Sequence, residues 1–121
     1  MAEEQLELPL MGIRLDEYQH EAHKTSVYPD EYACQYLALG LVAEAGEVAG
    51  KIAKWYRNLD EASVEDFPFE GVADELGDVL WFVSELSNLL DLRLSDVAEN
   101  NLQKLQGRQE RGTLKGSGDD R

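Results

Sequence analysis

The chain has 121 residues, enough for one domain with its own core and too few for two independent catalytic domains. Its 25 acidic residues against 11 basic ones give a formal charge of -14, which repels nucleic acid and argues against a general phosphate-backbone binder or a stable nucleic-acid partner. The single cysteine, Cys34, excludes an intrachain disulfide framework, suits a reducing compartment, and is expected to be filler.

No basic segment leads into a long apolar run at the N-terminus, and the apolar residues around Trp81 are broken by Asp78 and Glu85 well short of a membrane span. A cytoplasmic protein without a membrane partner is expected. Residues 1–15 carry no sustained period, and Pro9 and Gly12 oppose a long early helix. Leu15 to about Lys24 reads as a short helix, and Tyr28-Pro29-Asp30 as a break and restart. Tyr32 to about Tyr56 then carries Leu37, Leu41, Ala45, Val48 and Ile52 at three- and four-residue steps, the period of a long amphipathic helix. Asn58 to Pro68 reads as a connection, Phe69 to Leu90 as a second long helix, and Ser95 to about Gly107 as a shorter one. No stretch alternates as a β-strand does. The expectation is an all-α helical bundle in a single domain over residues 1–121. The terminal run GTLKGSGDDR, residues 112–121, reads either as a mobile tail or as a lid over a neighbouring subunit's pocket.

The two long helices carry acids beside their apolar faces. At about 100° per residue, Leu37, Ala45, Val48, Ile52 and Trp55 fall within about 40° of Leu41, with Glu44 about 60° to one side and Glu47 about 120°. On the opposite shoulder Val42, Gly46, Ala49, Gly50 and Ala53 are small enough for another backbone to approach. In the second helix Glu75, Val79, Phe82 and Leu86 share one row, where an uncompensated carboxylate would be costly. Val72, Leu76, Val83 and Leu90 form the adjacent row. Both helices are apolar over more than a narrow stripe, so the core is expected to be completed by association of subunits. If residues 58–68 reverse the chain, an antiparallel hairpin brings Glu47 and Glu75 to about the same level, with the rotation about each axis left open.

Residues three apart share a helical face, so Glu44 with Glu47 and Glu75 with Asp78 can each present two oxygen donors. Gathered together, four carboxylates need protons or cations to offset their repulsion, and an all-oxygen set favours a hard cation such as Mg²⁺ or Mn²⁺ over zinc. Apart from one another, the same pairs are two solvated acidic shoulders. Lys51 is open to a helix salt bridge or to a phosphate contact, and Lys54 to solvent or phosphate steering. His20 and His23 near Asp16 and Glu17 read as a surface or partly packed pair, with a second metal site as the alternative. Tyr18, Tyr28, Trp55 and Trp81 are of a kind that stacks on bases but more often builds small cores.

GLVAEAGEVAGKIAKW, then ELGDVLWFV, then NLQKLQGRQERG resembles the MazG-like family of all-α nucleoside triphosphate pyrophosphohydrolases, whose ordered pattern is ExxE, ExxD and NxxK. The similarity runs from about Leu15 to the C-terminus. It implies a four-helix core assembled as a homodimer or homotetramer, and hydrolysis of an NTP or dNTP to the monophosphate and pyrophosphate. It also implies Mg²⁺ or Mn²⁺, more than one ion per site, held by Glu44, Glu47, Glu75 and Asp78 as the catalytic carboxylates. Asn101 and Lys104 take the NxxK positions that bind phosphates. Arg108 and Arg111 are expected as further phosphate contacts, with Lys51 and Lys115 as additional candidates. Two alternatives stand beside this reading: a phosphoribosyl-ATP pyrophosphohydrolase, and a non-catalytic helical oligomerisation or adaptor module.

Overall fold

A computed structural model describes residues 4–8, 11–61 and 63–121, so Pro9 and Ala62 of the segments discussed above lie outside the described residues. Four helices follow in order: α1 (Leu15–His23), α2 (Ala33–Arg57), α3 (Phe69–Leu89) and α4 (Leu94–Glu110), with short 3₁₀ turns at Asp30–Tyr32 and Val64–Asp66. The fold is an all-α four-helix bundle, without a strand among the described residues. The expected boundaries hold closely except at the end of α4, which passes through Gly107 and stops at Glu110. Gly107 lies against the Arg111 guanidinium within the helix, whereas the stop is supplied by Gly112, whose φ of 69° lets the Thr113 N–H donate to the Arg108 carbonyl at 2.8 Å.

α2 and α3 pair antiparallel over most of their length, as Gly40 beside Phe82 and Lys51 beside Gly71 both require. Gly40 permits the closest approach, since a Cβ there would collide with the Phe82 ring. At Gly46 and Gly50, which the sequence pattern offers for such an approach, an added Cβ would meet no other atom within 4 Å among the described residues outside the helix's own backbone. A small core forms around this contact: Leu37 is fully buried, Phe82 and Ala33 are buried, and the ring of Tyr36 lies 5.7 Å from Phe82 and 5.3 Å from the stacked Tyr28. Trp81 joins edge-on, with its indole N–H donating to Thr25 Oγ1 at 2.8 Å. Tyr28 and Trp81 are thus core-building aromatics.

α1 crosses the second half of α3 and organises the start of α4. Gln19 donates to Asn88 Oδ1 at 2.9 Å and to the Leu92 carbonyl at 2.8 Å, while its own carbonyl accepts the Leu94 N–H at 2.7 Å. Asp16 accepts the Ser95 N–H and hydroxyl at 2.9 and 2.7 Å, so the first free amides of α4 are capped from a different helix. These bonds hold the Asp16 carboxyl below the usual carboxylate range, first through the Ser95 hydroxyl and then through its amide. Asp91, at φ 55°, makes the tight turn between α3 and α4.

Much apolar surface stays uncovered. On the two long helices Leu39 and Val42 are 72% and 71% exposed, and Leu76 is 54% exposed. Leu102 on α4 is 66% exposed. Cys34 is exposed in the first turn of α2, so the expectation that it fills the core is corrected: the buried positions of that turn are Ala33 and Leu37. No helix is long and apolar enough to cross a membrane among the described residues.

Candidate metal centre

Gly40 and Glu44 lie four residues apart on α2, in the row that meets α3. On α3 the facing residues are Phe82, Asp78 and Glu75, again one turn apart. The approach of Phe82 to Gly40 therefore carries Glu44 against Glu75 and Asp78. Each of the three offers a carboxylate oxygen, and these atoms lie within 4.8 Å of one another, with Glu44 and Glu75 half-buried and Asp78 at the open side.

Three anions so close are electrostatically unbalanced. The Glu44 carboxyl is pushed above the usual carboxylate range, chiefly by partial burial, then by the charge of Asp78, by hydrogen bonding with Glu75, and last by Glu47. Lys51 supplies a cation, with its Nζ 3.2 Å from Glu75 Oε1 across the helix pair, and its stem passes over Gly71, where a Cβ would lie 3.3 Å from Lys51 Cδ. One ammonium does not balance three carboxylates. Hard oxygen donors at this separation, short of positive charge, fit a divalent cation.

The helix pair thus gathers Glu44, Glu75 and Asp78, and leaves Glu47 exposed outside the cluster. Glu47 stands one turn from Glu44 on α2 and is not among the clustered oxygens. Its remaining influence is the small charge effect on Glu44. Asn101 and Lys104 stand exposed on α4, and among the described residues neither forms a hydrogen bond or ion pair to α2 or α3. Lys104 instead lies 3.8 Å from Asp119 of the tail, Arg108 is buried against the same tail, and Arg111 donates to the Arg121 backbone oxygen at 2.6 Å. Lys115 is exposed in that tail.

Sequence reasoning overlooked Glu85. It is fully buried in α3, accepts the Tyr28 hydroxyl at 2.5 Å and the Asn88 amide at 3.1 Å, and lies 3.0 Å from His23 Nδ1. The neighbouring Glu85 carboxylate, after burial, raises the Tyr28 phenol well above its ordinary value. A signal was present in the sequence, because Glu85 falls among Phe82, Val83 and Leu86 on the apolar side of α3. His23 is committed to this network rather than to a site with His20.

Residues 33–113 match the family described as MazG nucleotide pyrophosphohydrolase domain. The chain is also 42% identical over 115 residues to the Gene 37 protein of Mycobacterium phage L5, an alignment covering 90% of this chain and 100% of that relative. No solved structure matches it.

Proposed function

This chain belongs to the MazG nucleotide pyrophosphohydrolase domain family, and from that premise we propose that it hydrolyses a nucleoside or deoxynucleoside triphosphate to the monophosphate and pyrophosphate. The observation that carries this reading is the convergence of Glu44, Glu75 and Asp78 within 4.8 Å in a setting that raises the Glu44 carboxyl. Those three residues would hold Mg²⁺ or Mn²⁺. Bound there, more than one ion per site would offset the charge of the triphosphate and of the pyrophosphate as it leaves.

The side chains around the cluster divide the remaining work. Lys51 pairs with Glu75 and orients its carboxylate from across the helix pair, and its ammonium stands ready for a phosphate oxygen. Glu47, exposed one turn from Glu44, takes the rim role of further ligand and proton acceptor from the attacking water. Asn101, Lys104, Arg108, Arg111 and Lys115 bind the phosphate chain. Among the described residues these α4 and tail groups form no hydrogen bond or ion pair to the carboxylate-bearing helices of their own chain, and both long helices expose large apolar side chains. A homodimer or homotetramer covers that apolar surface and brings a second copy's α4 within reach of the cluster.

The test is incubation of the pure protein with separate NTPs and dNTPs in Mg²⁺. Pyrophosphate and monophosphate should appear in equal amounts from at least one nucleotide, with loss of both on chelation. Release of orthophosphate, or no product across the whole panel, would overturn the assignment. Light scattering at assay concentration should show at least a dimer.

A further inference from the structure

α4 ends in a segment that returns onto the helix it leaves. Gly112 turns the chain out at φ 69° and Gly118 turns it again at φ 83°, left-handed conformations that glycine adopts without steric cost. The return lays residues 118–121 along α4. Asp119 Oδ1 comes to 3.3 Å from Arg108 Nη2 and 3.8 Å from Lys104 Nζ. Arg108 Nη2 also faces the carbonyls of Gly118 and Asp119 at 3.4 and 3.3 Å, and Arg111 holds the Arg121 oxygen at 2.6 Å. Two cations of α4, and Arg111 just past its end, are thereby engaged by an acid and backbone oxygens, the acceptor chemistry that a phosphate group also offers. The family match ends at residue 113, so the part of the chain that supplies Asp119 lies beyond it.

We propose that residues 112–121 form a self-occupying latch, in which Asp119 holds the Lys104–Arg108 cation pair until a phosphate group of the substrate displaces it. This rests on the phosphate-binding role proposed above for Lys104 and Arg108. The contacts are suited to exchange. Charge-assisted N–H···O bonds run at about 2.7–2.9 Å, and all those from Arg108 are longer. The Asp119 side chain is 90% exposed, so its ion pairs are weakened by water. Arg108 is buried under the tail with only 6% of its side chain exposed, and its Nε has no hydrogen-bond partner. A phosphate, with more charge and three acceptor oxygens, can take the guanidinium fork bidentately. The latch meanwhile gives Arg108 a counter-ion in the absence of substrate.

The experiment uses the full-length protein with Asp119→Asn, an exposed substitution that leaves the backbone contacts in place. Calorimetry in Mg²⁺ gives the Kd of inorganic triphosphate, and product release gives KM and kcat for the best nucleotide. Kd and KM should both fall about two- to fivefold, the range an exposed ion pair supports, with kcat within about twofold. Asp119→Glu should restore the wild-type values, and in a Lys104→Ala/Arg108→Ala background Asp119→Asn should have no effect. If Asp119→Asn changes neither Kd nor KM while Lys104→Ala weakens both, the latch is wrong and the phosphate assignment stands. If Lys104→Ala and Arg108→Ala also leave both unchanged, the phosphate assignment fails and takes the latch with it. A lower Tm with a raised KM in Asp119→Asn would make the tail a structural staple and overturn the proposal.

Discussion

α3 carries carboxylates in two contrasting environments. Glu85 is fully buried but surrounded by the Tyr28 hydroxyl, the Asn88 amide and the His23 ring, so its lone pairs are occupied by the protein itself. Glu75 and Asp78 are less buried, yet they face Glu44 with Lys51 as the cation paired to the cluster. The first arrangement is complete as folded. The second sets one ammonium against three carboxylates. The difference teaches that depth of burial does not mark an acid as functional; what marks it is charge that the chain leaves uncompensated.

The comparison breaks most visibly in turnover. Glu75→Gln and Asp78→Asn should each lower pyrophosphate release by about 100-fold or more, since the charge stabilisation supplied by a metal is worth several kcal/mol. Glu85→Gln should stay within about tenfold, because it touches only positioning contacts. Equal losses in all three variants, measured at saturating Mg²⁺, would erase the distinction between the two environments.

Stability should move the other way. Glu85→Ala strands three polar partners around a new void and should cost about 2 to 4 kcal/mol in urea melts. In chelator, Glu44→Gln should leave stability unchanged or raise it, because it removes one of three facing anions. Adding Mg²⁺ should raise the Tm of the wild type through binding to the folded state alone, and the increment should survive Glu85→Gln and vanish in Glu75→Gln.

Acidity sharpens the contrast further. In metal-free protein, the raised Glu44 carboxyl makes the folded chain hold a proton more tightly than the unfolded one does, so its unfavourable contribution is full above the raised value and disappears as pH falls through it towards the ordinary carboxylate range. Asp16, held low by Ser95, behaves oppositely: its stabilisation is present above the ordinary range and is lost as pH falls through its lowered value. Urea midpoints in chelator should therefore depend on Glu44 in mildly acidic buffer and on Asp16 at lower pH. Glu44→Gln and Asp16→Asn should each flatten only its own window. A still smaller effect belongs to a position outside both acid environments. Asp91 adopts a left-handed φ of 55°, and Asp91→Gly should change stability by less than about 1 kcal/mol, by relieving backbone strain at the expense of a more flexible unfolded chain.

How much of this was legible beforehand differs by scale. The four helices followed from hydrophobic period and from Pro29 and Pro68, because a local pattern of burial and backbone restriction decides where a helix begins and ends, although Gly107 did not end α4. That the two acidic phrases stand at about the same level followed as well, since an antiparallel hairpin sets the level of each acid along its neighbour, while their pairing stayed open. The sequence alone did not determine the rotation about each axis. Glu47 and Glu44 differ by about 60° on α2, and which one meets α3 depends on Phe82 packing over Gly40, a contact between residues distant in the chain. The same is true of Glu85, whose three partners come from α1, from the segment before α2 and from α3 itself, and of Asp119, brought onto Lys104 and Arg108 by two glycine turns. A one-dimensional period specifies which residues share a face. Only the tertiary structure decides what that face meets, because steric fit between helices sets their mutual rotation and side chains far apart in sequence supply the compensating charge.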